Sequence, residues 1–277
     1  MKFKKLSHVL IFCFSLILFS WAVGNGLYFL TITIFSEKST YLKYLAGINN
    51  FMSALIGILI LKKLGKINIL KDKGKGFWRG IFIGSIPLVF ITFFIAYDIL
   101  VAEDIRLQSW EVIMSIIFQC FSVGVLEEIY FRGIIFNVID DYFGHKNACD
   151  IWKTVVLSGF LFGFAHLDFF KGMSGFLSSI GQFIGCIAIG ILFGAVYMRY
   201  RNIYSLMFVH ALYDIVGIWQ RFIVGNIGSY QVSNLLIIAI IQFIMYILVV
   251  VFLLRKKKMA EIINSEPNKS SLDPKYS

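Results

Sequence analysis

Val125-Leu-Glu-Glu-Ile-Tyr-Phe-Arg132 puts two adjacent carboxylates and a guanidinium inside an otherwise apolar run, residues 110–138. A helix needs about 20 such residues to cross the hydrocarbon of a bilayer, and this run exceeds that. Ionisable groups at membrane depth cost roughly 2.5–3.5 kcal/mol each on insertion scales, so Glu127, Glu128 and Arg132 mark a functional region. The rest of the chain has the same character. It is 58% hydrophobic and only 15% charged, with a mean hydropathy of +0.80, whereas soluble domains run about 45–50% apolar and about 25% charged. The fold class is therefore an all-α polytopic membrane protein. The net charge of +10 does not indicate a nucleic-acid partner, because the bases lie in short stretches between apolar segments, as the positive-inside rule requires.

Hydropathy predicts eight transmembrane helices, at residues 9–35, 42–61, 77–97, 110–138, 153–170, 178–198, 203–224 and 232–254. The first follows a basic start, but it is too long for the apolar core of a signal peptide. With the N-terminus in the cytoplasm, the inner segments hold twenty Lys and Arg and the outer segments five, so both termini are expected in the cytoplasm. Residues 1–258 are expected to form one membrane domain. Residues 259–277 are polar and are expected to be a disordered cytoplasmic tail. Gly181, Gly185, Gly190 and Gly194 predict close helix packing along the sixth span. The four cysteines show no C-x-x-C spacing, which points to neither a thiolate zinc site nor a disulfide framework and leaves them as small apolar residues.

Three spans carry ionisable residues at helical spacing: Glu127, Glu128 and Arg132 in the fourth, Phe162-Gly-Phe-Ala-His166 in the fifth, and His210-Ala-Leu-Tyr-Asp214 in the seventh. Glu128 and Arg132 stand four apart and can pair on one face. Glu127 points about 100° away and is free for other work. Asp214 stands four after His210 and can fix its tautomer. Counting rise per residue puts Glu127 roughly 15 Å, His166 roughly 20 Å and His210 roughly 10 Å from the cytoplasmic helix ends. Taken singly, each is compatible with a structural ion pair or a hydrogen-bonded core histidine. Taken together they predict one polar pocket in which a desolvated Glu acts as base on water and two His assist. The same three residues, Glu127, His166 and His210, are possible ligands for a zinc that activates water.

In this order and on separate helices, Glu127-Glu128-x-x-x-Arg132, Phe162-x-x-x-His166 and His210-x-x-x-Asp214 resemble the CPBP family. That family comprises type II CAAX prenyl endopeptidases and the Abi group of bacteriocin-processing or immunity proteins. The resemblance covers a core at about residues 110–224. It implies an intramembrane endopeptidase with a cavity open to the cytoplasm, in which Glu127 activates water, His166 positions it, and His210 and residue 214 stabilise the oxyanion. Glu128, Arg132 and Phe162 would support the site. It leaves open whether the enzyme needs no cofactor or uses zinc. The prenyl enzymes carry Asn where this chain has Asp214, and an ionised carboxylate cannot donate to an oxyanion; Asp214 is then expected to orient His210 instead. The expected partners are a membrane-associated peptide or protein substrate and the bilayer of a bacterial plasma membrane. Two other functions use the same residues: a non-catalytic bacteriocin-immunity protein that binds a peptide, and a proton-coupled transporter.

Overall fold

The computed structural model describes residues 3–34, 42–71, 74, 76–101, 103–167, 172–226 and 232–265. Its helices are α1 (Leu6–Ile34), α2 (Leu42–Lys63), α3 (Phe77–Val101), α4 (Trp110–Glu128), α5 (Asn137–Phe143), α6 (Ala148–Phe164), α7 (Gly172–Tyr200), α8 (Ile203–Gly217), α9 (Val232–Leu253) and α10 (Lys256–Ser265). A π-helical segment, Ile129–Phe136, joins α4 to α5 without a break. Among the described residues, four stretches are long and apolar enough to cross a membrane: Leu6–Ile34, Tyr44–Lys63, Trp110–Phe143 and Ser179–Tyr200. Phe77–Val89, Ile203–Gly217 and Ile240–Leu253 are shorter apolar helices. The chain is a multi-pass membrane protein.

α4 lies between α2 and α8, α6 packs along α7, and α7 also meets α9. Glycines set the two closest approaches. At Gly124 a Cβ would come 2.7 Å from the Met207 carbonyl oxygen, so α4 and α8 touch backbone to backbone one turn before Glu127. Gly159 and Gly163, four apart on α6, press on Ile191 and Ile187 of α7, while Gly190 faces Gly159. Small residues at this spacing let apolar helices approach where lipid offers no hydrophobic drive for association. Of the four α7 glycines expected to pack, Gly190 and Gly194 do, whereas Gly181 and Gly185 have nothing within 4 Å. Much of the close packing is thus made by the G-x-x-x-G of α6.

Several boundaries differ from expectation. The fifth helix runs Ala148–Phe164 rather than 153–170. Asn147 starts it, accepting a hydrogen bond from the Asp150 amide, as an N-cap does. The seventh ends at Gly217, and Ile223–Asn226 (β2) pairs antiparallel with Glu103–Leu107 (β1), so the fold is not purely helical. β-branched Ile223 and Val224 suit a ladder better than a helix end. The boundary at residue 258 falls inside α10, and residues 266–277 lie outside the described residues. Met259 and Ile262 of α10 are buried against the bundle, and Arg199 at the end of α7 donates to the Lys258 carbonyl and the Glu261 carboxylate, both at 2.9 Å.

Candidate active site

Glu128 and Arg132 are the most deeply buried charges, 0% and 1% exposed, and are joined at 3.0 Å. The pairing read from their spacing is present. A buried pair needs further hydrogen bonds to offset its desolvation, and the neighbouring helices supply part of them, leaving Glu128 Oε2 and Arg132 Nε without a partner among the described residues. Arg132 Nη2 donates to the Gly190 carbonyl of α7 at 3.3 Å. The guanidinium lies over the Phe162 ring at 4.5 Å and the Phe193 ring at 5.2 Å, a cation–π sandwich. The π-helical turn around Arg132 is closed by the Asn137 side chain, whose amide donates to the carbonyls of Arg132 (2.6 Å) and Gly133 (3.0 Å) and reaches the Tyr197 hydroxyl (3.2 Å). Single-turn π segments inside α-helices occur frequently at functional sites.

Glu128 has a second task. Its Oε1 also accepts from His210 Nδ1 at 2.7 Å. An ionised carboxylate only accepts, so Nδ1 carries the proton and Nε2 faces the other way. Asp214 Oδ1 lies 3.8 Å from His210 Nε2, beyond hydrogen-bond range. The carboxylate that orients His210 is therefore Glu128 of α4, not Asp214 one turn along α8. Gly124 is the reason: it lets α8 approach closely enough for His210 to reach Glu128.

His166 stands in the turn just past α6, where its Nδ1 donates to the Phe162 carbonyl at 2.8 Å. That bond satisfies a carbonyl freed by the end of the helix, and the helix stops there instead of running on. With Nδ1 engaged on both histidines, their Nε2 atoms converge on one oxygen. Glu127 Oε2 is 3.8 Å from His166 Nε2 and 3.6 Å from His210 Nε2. That oxygen is buried and has no hydrogen-bond partner among the described residues, an expensive condition. The side chain is nevertheless 22% exposed, and Asp214 is 31% exposed, so the cluster is reached from outside.

These distances let a single water oxygen lie within hydrogen-bond range of Glu127 and of either imidazole. The structure thus gathers Glu127, Glu128, Arg132, Phe162, His166 and His210 into one contact network, with Asp214 at its exposed edge. Sequence reasoning missed Phe193, Gly190 and Tyr197. The first and last are aromatic residues in an aromatic-rich chain, and the second acts through its carbonyl. Asn137 carried a usable signal, a lone amide in an apolar run. Among the described residues, no group of three or more His, Cys, Asp or Glu is spaced to hold a metal ion.

The segment holding all seven of these residues has known relatives. Residues 109–216 match the family model for the type II CAAX prenyl endopeptidases, Rce1-like. The chain carries an Rce1-like region. This agrees with the resemblance carried by the three motifs. The Rce1-like region runs from the residue before α4 to the last turn of α8 and spans less than half of the chain. No curated protein and no solved structure matches the chain.

Proposed function

We propose that the protein is an intramembrane endopeptidase in which Glu127 activates water against a peptide bond of a membrane-associated peptide or protein. The observation that carries this reading is the buried, unpartnered Glu127 Oε2 facing Nε2 of both His166 and His210. Glu127 takes a proton from the water, and the oxygen of that water bonds to the substrate carbonyl carbon. The carbonyl π electrons move onto oxygen. His166 orients the water. His210, protonated on both nitrogens, donates from Nε2 to the oxyanion. Around it stand Glu127, Glu128 and Asp214 against the single guanidinium of Arg132, and a charged imidazole suits that excess of carboxylate. Glu127 then returns its proton to the leaving nitrogen as the C–N bond breaks.

The reading takes α1, α2, α3, the α4–α5 unit, α6, α7, α8 and α9 as eight crossings with both termini in the cytoplasm, supported by the excess of Lys and Arg in the inner segments. The host membrane is a bacterial plasma membrane. The shorter members, such as α6 with 17 residues, fall below the ~20 needed to span alone, which suits helices buried among others around a water-accessible pocket.

The test compares membrane-peptide products from wild type and Glu127→Gln. Removing the general base should lower turnover by roughly a hundredfold or more, with insertion and thermal stability unchanged. Full cleavage by a folded Glu127→Gln protein would reject the assignment. Exhaustive chelation is a second arm: a loss of cleavage restored by zinc would move the water-activating role to a metal.

A further inference from the structure

A cavity of about 350 Å³ opens between the start of α3 and the end of α7, lined by Gly76, Phe77, Trp78, Arg79, Arg199 and Tyr200. None of these residues belongs to the catalytic cluster. The volume lies in the range of small-molecule sites, about 300–1,000 Å³. Its walls are two guanidiniums and three aromatic rings. Arg79 is exposed and forms no ion pair among the described residues. Arg199 is held by Glu261 and the Lys258 carbonyl. Among the described residues at this corner, Arg79, Arg199 and Lys258 outweigh the acid Glu261.

The backbone adds to this field. Among the described residues, the first turn of α3 carries no acidic side chain to offset the positive end of this 25-residue helix's dipole. The Gly80 and Phe77 amides bond back to Gly76 and Gly74. Gly76 is needed to build this corner. Its φ is +75°, and a Cβ there would come 2.8 Å from the Tyr200 carbonyl oxygen. The glycine thus brings the helix start against the end of α7 and sets Arg79 and Arg199 on one cavity.

We infer that this cavity binds the phosphate of an anionic phospholipid headgroup. The positive end of a helix, two arginines and a volume larger than an isolated phosphate needs all favour a phosphodiester with its attached polar group. Trp78, 77% exposed, is the residue type that sits at headgroup level beside acyl chains. The lipid surface, rather than free phosphate, is the source that an exposed indole on the rim of such a pocket fits.

The test uses the full chain in detergent micelles and measures binding of phosphatidylglycerol, phosphatidylcholine and inorganic phosphate by native mass spectrometry and thermal shift. Wild type should bind phosphatidylglycerol in preference to phosphatidylcholine. Arg79→Ala should weaken phosphatidylglycerol binding roughly fivefold, the effect of one interfacial base, and leave phosphatidylcholine binding as it was. Arg79→Lys should keep most of the preference, and since Arg79 is exposed both variants should fold. Equal binding of the two lipids overturns the inference, as does an unchanged Arg79→Ala. A preference abolished only by the double substitution Lys256→Ala, Lys257→Ala would assign it to the basic start of α10 instead. Inorganic phosphate binding as tightly as phosphatidylglycerol would overturn the lipid source. Because binding is read without turnover, the result is independent of whether Glu127 is catalytic.

Discussion

Glu127 and Glu128 are neighbours in sequence with opposite surroundings. Glu128 accepts from Arg132 and His210 and is fully buried. The Oε2 of each is buried with no hydrogen-bond partner among the described residues, but only Glu128 has its other oxygen held, by Arg132 and His210. The same substitution should therefore act differently at each. Glu128→Gln leaves a buried guanidinium without its counter-charge and should cost about 3–5 kcal/mol, read as a lower denaturation midpoint in detergent. Glu127→Gln should leave that midpoint in place. A protein that tolerates Glu128→Gln without loss of stability would contradict the pairing. Asp214 offers a further contrast. Its oxygen is too far from His210 to orient it, so Asp214→Asn should retain cleavage and, by adding an amide donor near the oxyanion, raise the maximal rate if it changes at all. A collapse of activity would show that the carboxylate itself is required.

At the scale of elements, the site depends on two close helix contacts and one irregular turn. Gly124 allows α8 to bring His210 to Glu128, and the Gly159–Gly163 face of α6 brings Phe162 and His166 toward α7. The added methyl of Gly124→Ala meets the Met207 carbonyl and the Ala211 amide, both backbone atoms. Overpacking of this kind costs roughly 1–3 kcal/mol. It should also lengthen the His210–Glu128 contact, lowering turnover more than substrate affinity, which separate determination of kcat and KM will reveal. Normal turnover in this variant would mean that the α4–α8 spacing does not set the geometry. The π-helical segment could not be read from hydropathy, because a 3.6-residue period with a fully apolar face looks the same with one extra residue in a turn. Only Asn137, which holds the loosened carbonyls, hinted at it.

Across the whole molecule, α10 ties the C-terminal end of the described chain to the bundle through Arg199. The hydrogen bonds from Lys258 and Arg199 hold the Glu261 carboxyl down to about 2, from an ordinary 4.5. A depressed folded-state value means that the contribution of this contact is fully present above pH 4.5 and is lost as pH falls toward 2. Glu261 is fully exposed, so the effect is small and is screened by salt. Protection of α10 amides from hydrogen exchange should decline over that window in wild type, and Glu261→Gln should abolish the decline. A decline that persists in the variant would place its origin elsewhere.

The membrane class, the helix sequence and the candidate residues Glu127, Glu128, Arg132, His166, His210 and Asp214 were all legible in the chain. Apolar runs must span, and charges within them are too costly to be incidental. Helical spacing also foretold the Glu128–Arg132 pair, because neighbours four apart on one helix need no tertiary information. The partners across helices were not legible. Spacing favoured Asp214 for His210, yet α8 sits so close to α4 that Glu128 takes that role. His166 belongs to a helix end rather than a helix. Arg132 rests between two phenylalanines that composition alone cannot distinguish from the other 27. Those choices depend on how near two backbones approach, which is decided by which glycines face one another once the helices pack.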